Sequence, residues 1–175
     1  MPQVAERQVA RSILSDDHCG PLPKREGNDP GRFRFLAGQT MAFSLGATDL
    51  GEAAARARIT PFDIAGVEEE AVGGCDVSEP LPEDDFRIVH NLAVLLQTMD
   101  IDGDPANNID ITAEIAALFD DVSPLLVDQA WEQFQTDFQV VLDEANNRNL
   151  FSEEREMRTR EEALGALYQG IGLCP

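Results

Sequence analysis

Eleven consecutive residues, Asp100-Ile101-Asp102-Gly103-Asp104-Pro105-Ala106-Asn107-Asn108-Ile109-Asp110, concentrate hard oxygen ligands as no other part of the chain does. Three carboxylates stand at alternate positions around a glycine, and two asparagines and a fourth carboxylate follow. Ca²⁺ takes about 6–8 oxygen ligands at about 2.3–2.6 Å, and a tight acidic loop can supply them. Without a cation the same carboxylates would repel one another across a short turn. The spacing is not that of a standard EF-hand. With Asp100 as the first ligand, Asp102 and Asp104 fill the third and fifth positions, but Pro105 falls where the turn glycine belongs. The inward apolar residue comes late, as Ile109, as though the loop were expanded. The expected ligands are Asp100, Asp102 and Asp104, completed by Asn107, Asp110, Glu114 and backbone carbonyls near 107 and 108. A structural ion is expected rather than a sensing one, since no Met-rich groove lies beside the loop. The same residues would also suit a solvated turn in which Asp and Asn make Asx-turns and cap helices.

Other reactive side chains are sparse. His90 falls within a helical pattern, where a histidine is ordinarily a packing residue, and His18-Cys19 lacks a recognisable orienting group or oxyanion site. No Gly-x-Ser-x-Gly, phosphate-binding loop, dinucleotide fingerprint or His-Glu-x-x-His occurs. Carboxylates are too abundant for any pair to suggest a glycosidase. The three cysteines, Cys19, Cys75 and Cys174, form no Cys-x-x-Cys motif. In an exported chain they predict one intramolecular disulfide, Cys75–Cys174 in preference to Cys19–Cys75, with one thiol left over.

The elements that must position the loop change character near residue 80. Residues 1–80 read as a β-rich unit with a linker, and 81–175 as a helical unit carrying the 100–110 loop. Residues 9–15 suit a first short strand, and Asn28-Asp29-Pro30-Gly31 is a strong turn signal. The alternation at 32–36 and at 40–46 predicts a hairpin with Phe33, Phe35 and Phe43 inward. Leu50-Gly51 reads as a short strand end, residues 52–58 suit a loop or a single helical turn, and 59–64 an extended anchor, because Thr60 precedes a proline that lacks a ladder donor. An acidic linker covers 66–83.

Beyond it the apolar spacing predicts a helix over 84–99, and a short one to Phe119 capped by Thr112 or Asp110. A third starts at Ser123-Pro124 and runs to about Asn146, with a stripe of Leu126, Ala130, Trp131, Phe134, Phe138, Val141 and Leu142. The last runs from Ser152 to Gly170, with Arg155, Arg158 and Arg160 on a solvated or salt-bridged face. The expected fold is α+β: a small N-terminal antiparallel β-unit packed on a C-terminal bundle of about four helices.

Composition narrows the partners. The chain is 175 residues long and 43% hydrophobic, enough for a real core. Its 33 acidic residues against 13 basic ones give a net charge of −20, which argues against nucleic acid and anionic membrane surfaces. No stretch approaches the roughly 20 apolar residues of a membrane span. The N-terminal residues have no apolar core of a signal peptide, so the protein either stays inside or begins after a removed export signal.

Two segments carry a resemblance. Residues 28–46, Asn28-Asp29-Pro30-Gly31-Arg32-Phe33 through Ser44-Leu45-Gly46, are similar to the TDxxGRFxFxxGxTVxFxxG hairpin of carboxypeptidase-regulatory-like β-modules. Residues 91–109, Asn91-Leu92-Ala93 through Asn107-Asn108-Ile109, resemble the NxAxLLQTLDxDGDPxNGI run of an uncharacterised module in secreted proteins and lipoproteins of Gram-negative bacteria. Asn108 stands where that pattern usually has glycine. The resemblance covers about residues 9–120. It implies an exported, periplasmic or extracellular module without catalytic activity, commonly appended to larger proteins. The expectation is therefore a non-catalytic, calcium-stabilised binding or assembly module with a protein partner. The alternatives are a structural subunit of a larger envelope or extracellular complex, and a hydrolase using carboxylates near His90 or Cys19.

Overall fold

A computed structural model describes residues 38–69, 83–104, 107, 109–122 and 125–174. Residues 9–15, the turn at 28–31, the 32–36 half of the expected hairpin, most of the linker, Cys19, Cys75 and the Ser123-Pro124 start signal lie outside them. The alternating run after Gly38 forms strand β1 (Thr40–Leu45), with Phe43 and Leu45 buried and Met41 half-buried beside them. Its antiparallel partner is β2 (Thr48–Ala54). The sequence announces only a strand end at Leu50-Gly51, because Gly51, Glu52 and two alanines are poor strand formers.

Two glycine-dependent features make β2 fit. Gly46 opens the two-residue turn with φ +54°, and a Cβ there would lie 2.6 Å from the Ala116 carbonyl oxygen. Between Phe43↔Gly51 and Ser44↔Asp49 the register slips by one, leaving Leu50 as an extra residue. That bulge reverses the in–out alternation, so Thr48, Leu50 and Ala53 all face inward while Glu52 stays outside.

The segment expected to be extended at 59–64 is instead a helical turn, α1 (Pro61–Ala65). Thr60 is extended, as the following proline requires, but Pro61 takes the first helical position, where its missing N–H costs nothing. The Thr60 amide and hydroxyl both donate to the Asp63 carboxylate, at 2.7 and 3.0 Å. Gly66, in the left-handed region, closes the turn.

Helix α2 (Glu83–Thr98) is the centre of the molecule, packed against α1, α4 (Trp131–Asn147) and α5 (Arg160–Gly170). From Val89 to Asp100 every residue is buried, polar ones included. A helix buried on all sides must find partners for its polar side chains. Asn91 donates to the carbonyls of Val127 and Gln129, and Gln97 to that of Ala163. Helix α3 (Ala113–Asp121) starts at Thr112, whose hydroxyl accepts from the Ile115 amide. It packs on α4 and β1, and the Ala47 amide of the hairpin turn donates to the Phe119 carbonyl.

Two helix starts differ from expectation. Helix α4 begins at Trp131, because Asn91 occupies the Val127 and Gln129 carbonyls and the Leu125 amide donates to Thr48. Leu126 is accordingly exposed and outside the stripe; Phe134, Phe138, Val141 and Leu142 keep it. Helix α5 begins at Arg160, not Ser152. Asn146 accepts from the Arg155 amide at 2.9 Å and donates to its carbonyl at 2.8 Å, as a neighbouring strand would. The Thr98 hydroxyl accepts from the Arg158 amide. The backbone is held open until Thr159 and Glu162 close a capping box.

The architecture is thus α+β: a two-stranded antiparallel sheet on the N-terminal side packed against the helices. A single apolar core runs from Phe43 of the hairpin to Tyr168 of α5. Tyr168 is fully buried against Phe62, and burial pushes its phenol up to about 12. Among the described residues no helix is long and apolar enough to cross a membrane. Cys174 is disulfide-bonded, to a partner outside the described residues.

Candidate metal centre

The acidic loop leaves the buried end of α2 and re-enters the fold at the start of α3. Met99 and Ile111 anchor its two ends in the core, and Ile101 and Ile109 pack against it from the loop itself. Its mouth is closed by the Ile101 amide, which donates to the Asp110 carbonyl at 2.9 Å. Opposite, the Asp110 amide donates to Oδ1 of Asp100 at 2.8 Å.

Asp100 is only 2% exposed. Burial is the main force raising its carboxyl, to about 6; the Asp110 amide opposes this, and the neighbouring Asp102 adds to it. The two carboxyl groups are within hydrogen-bonding reach of each other. Asp102 is exposed, and its carboxyl is held below the ordinary range, first by the Asp104 amide at 2.9 Å and then by the Asn107 carboxamide at 2.9 Å. Loop geometry therefore gives two adjacent carboxylates opposite tendencies: one resists ionisation and the other favours it.

Of the six residues expected to ligate a metal, the fold brings three together: Asp100, Asp102 and Asn107. Asp104 and Asp110 contribute backbone amides to this cluster, and their side chains are exposed, as is that of Glu114 in the first turn of α3. Among the described residues no group of three or more His, Cys, Asp or Glu side chains is placed to hold a metal ion. Asn108 lies outside the described residues. The Asx-turn expected of a solvated loop is present at Asp102. The Asp100 and Asp102 carboxyl groups present hard oxygens, which suit Ca²⁺ better than a thiophilic metal, whereas Asn107 turns its carboxamide nitrogen to Asp102.

The other side of the loop is occupied by two of the arginines expected on a solvated or salt-bridged face. Arg155 donates to the carbonyls of Thr98 (3.4 Å), Asp100 (3.0 Å) and Ile101 (3.3 Å). Arg158 donates to the Gly103 carbonyl at 2.5 Å. The Arg155 guanidinium also lies over the Phe151 ring, 4.6 Å from its centroid. Gly103, at φ +66°, sits so close that a Cβ there would collide with this guanidinium. Arg160 stacks over Trp131 at 4.8 Å. Arg155 and Arg158 meet backbone carbonyls instead because α5 starts eight residues later than expected, so 151–159 is non-helical and passes beside the loop. The available signal was an Arg-x-x-Arg pair in a chain with few cations.

His90 is buried on α2, with its ring stacked near Phe86 at 6.4 Å. Comparison with protein-family models, curated proteins and solved structures finds no match.

Proposed function

We propose that this chain is a non-catalytic, exported binding or assembly module stabilised by Ca²⁺ in the 100–110 loop. The observation that carries the reading is the Asp100–Asp102 carboxyl pair, one member buried, at the mouth of a loop closed by its own backbone. A buried carboxylate beside a second one is costly at neutral pH unless a cation or a proton joins them. Ca²⁺ offsets that cost, and backbone oxygens of the loop, with an Asn107 carboxamide turned over to present its oxygen, extend the set it needs. The disulfide at Cys174 supports export, since such bonds persist chiefly in oxidising compartments. The resemblance of residues 28–46 and 91–109 to an exported module points the same way.

An ion that binds only the folded form raises the melting temperature by mass action. Calorimetric titration with CaCl₂ should give heat, and chelator should lower the melting temperature. Asp102→Ala should abolish both effects, while Glu156→Ala, on the exposed part of the 151–159 segment, should leave them intact. No heat together with a melting curve indifferent to chelator would sink the calcium reading. Light scattering or native mass spectrometry, with and without CaCl₂, tests the assembly role.

A further inference from the structure

Among the described residues, no helix has a basic residue in its last turn, where the dipole favours one. Arginines from elsewhere in the chain serve two of these ends. Arg155 donates to the Thr98 carbonyl at the end of α2, and Arg58 to the Ile171 carbonyl at the C-cap of α5. Both contacts are partly buried, where salt screens little. The ends of α3 and α4 are different. They carry acids of their own, Asp120 and Asp121 in α3 and Glu144 in α4. One arginine serves both: Arg148, the C-cap of α4, donates to Glu144 at 2.7 Å and to Asp121 at 3.0 Å. These three side chains are open to solvent, where an ion pair is weak. The hairpin turn leans on the same end of α3. Its Ala47 amide donates to the Phe119 carbonyl, and a Cβ at Gly46 would lie 3.0 Å from the Asp120 nitrogen.

We infer that the fold is sensitive to ionic strength, and that its sensitive point is the seam where the ends of α3 and α4 meet at Arg148. The chain has 33 acidic residues against 13 basic ones, and a net charge of −20 disfavours the compact state through self-repulsion. At about 0.01 M salt the Debye length is about 30 Å, so this seam feels carboxylates across the whole molecule. At about 1 M it is about 3 Å, and repulsion reaches only adjacent groups. Salt also weakens the Arg148 pairs, but a single exposed arginine is outweighed by Asp120, Asp121 and Glu144 together. A loosened end of α3 withdraws the support of the hairpin turn, so low salt opens the molecule first between the hairpin and α3. Cations from solution thus do for this seam what Arg155 and Arg58 do for the ends of α2 and α5.

The test is thermal unfolding of the full chain, disulfide intact and in chelator, from about 0.01 to about 1 M NaCl. The melting temperature of the wild type should rise by about 5–10 °C, mostly below about 0.3 M, where the Debye length changes most. Asp120→Lys and Glu132→Lys alter the net charge equally. Asp120 lies in the last turn of α3, whereas Glu132 lies in the first turn of α4, where the dipole favours an acid. Asp120→Lys should therefore raise the low-salt melting temperature and flatten the salt curve, and Glu132→Lys should flatten it clearly less. Arg148→Gln should melt below wild type at low salt and close to it at about 1 M. A wild-type melting temperature that stays flat overturns the sensitivity. So does one that climbs only in proportion to salt, as strengthened apolar burial would make it. Equal flattening by the two lysine variants, or an Arg148→Gln curve parallel to wild type, overturns the seam as its location.

Discussion

Burial and a neighbouring carboxylate lift the Asp100 carboxyl from 3.8 to about 6, and this fixes the sign of its pH effect. The folded state holds the proton more tightly than the unfolded one, so its contribution is favourable at low pH and is lost as pH rises through about 6. Asp100→Asn keeps an acceptor for the Asp110 amide and removes the charge. In chelator at pH 7.5 it should therefore be more stable than wild type, and at pH 4 nearly equal to it. Each pH unit is worth about 1.4 kcal/mol, so the gain reaches at most about 3 kcal/mol. Saturating CaCl₂ should reverse the order, because the variant has lost a ligand. Urea unfolding at the two pH values checks the first expectation, and the same curves with added calcium check the second.

Gly103 offers a second residue-scale comparison. It and Gly66 have nearly the same positive φ, +66° and +69°, but nothing lies within 4 Å of a Cβ at Gly66. Alanine at either position incurs backbone strain of about 1 kcal/mol or more. At Gly103 it must also displace the Arg155 guanidinium, so Gly103→Ala should cost clearly more. Equal costs would mean that the guanidinium moves aside freely. The acidic residues of the loop were legible in the sequence from type and spacing alone. The arginines behind it were not, since a carbonyl-binding role depends on where the chain returns and has no local pattern.

At the level of elements, what was legible follows the strength of the local signal. The core of α2, the β1 alternation, the Thr112 cap and the ends of α4 and α5 follow from periodicity and capping chemistry that tertiary contacts leave intact. The starts of α4 and α5 were misplaced because buried side chains of other elements, Asn91 and Asn146, take the backbone groups that a helix would have used. Strand β2 is legible only as a strand end at Leu50-Gly51, because its bulge and Gly51 disguise the alternation; at Gly51 a Cβ would meet Ile64 at 2.6 Å. Asn146 is thus a joint between α4 and the non-helical 151–159 segment. Asn146→Ala leaves an amide and a carbonyl of Arg155 without those partners and should destabilise the protein by about 2–3 kcal/mol. Exposed Asn147→Ala should cost no more than about 0.5 kcal/mol. Thermal unfolding of the two variants distinguishes a structural joint from a chance contact.

Over the whole molecule, two features act against a net charge of −20: one shared apolar core and the covalent bond at Cys174. The α+β class was legible because strand and helix periodicities occupy different halves of the sequence, whereas the core that joins them is a product of packing. Cys174 follows α5, and its amide donates to the Tyr168 carbonyl at 3.2 Å. The bond thus ties the segment after α5 close to where Tyr168 meets Phe62 of α1. If the partner is Cys75, as expected, the bond closes a loop of about a hundred residues, worth about 4–5 kcal/mol in the chain-entropy model. A reductant should accordingly lower the melting temperature, and the loss should be larger at low salt, where self-repulsion of the acidic surface is least screened. Peptide mapping without reductant should find Cys174 linked to one of the other two cysteines and a single free thiol. Three free thiols after oxidising purification would contradict the bond and remove its support for export.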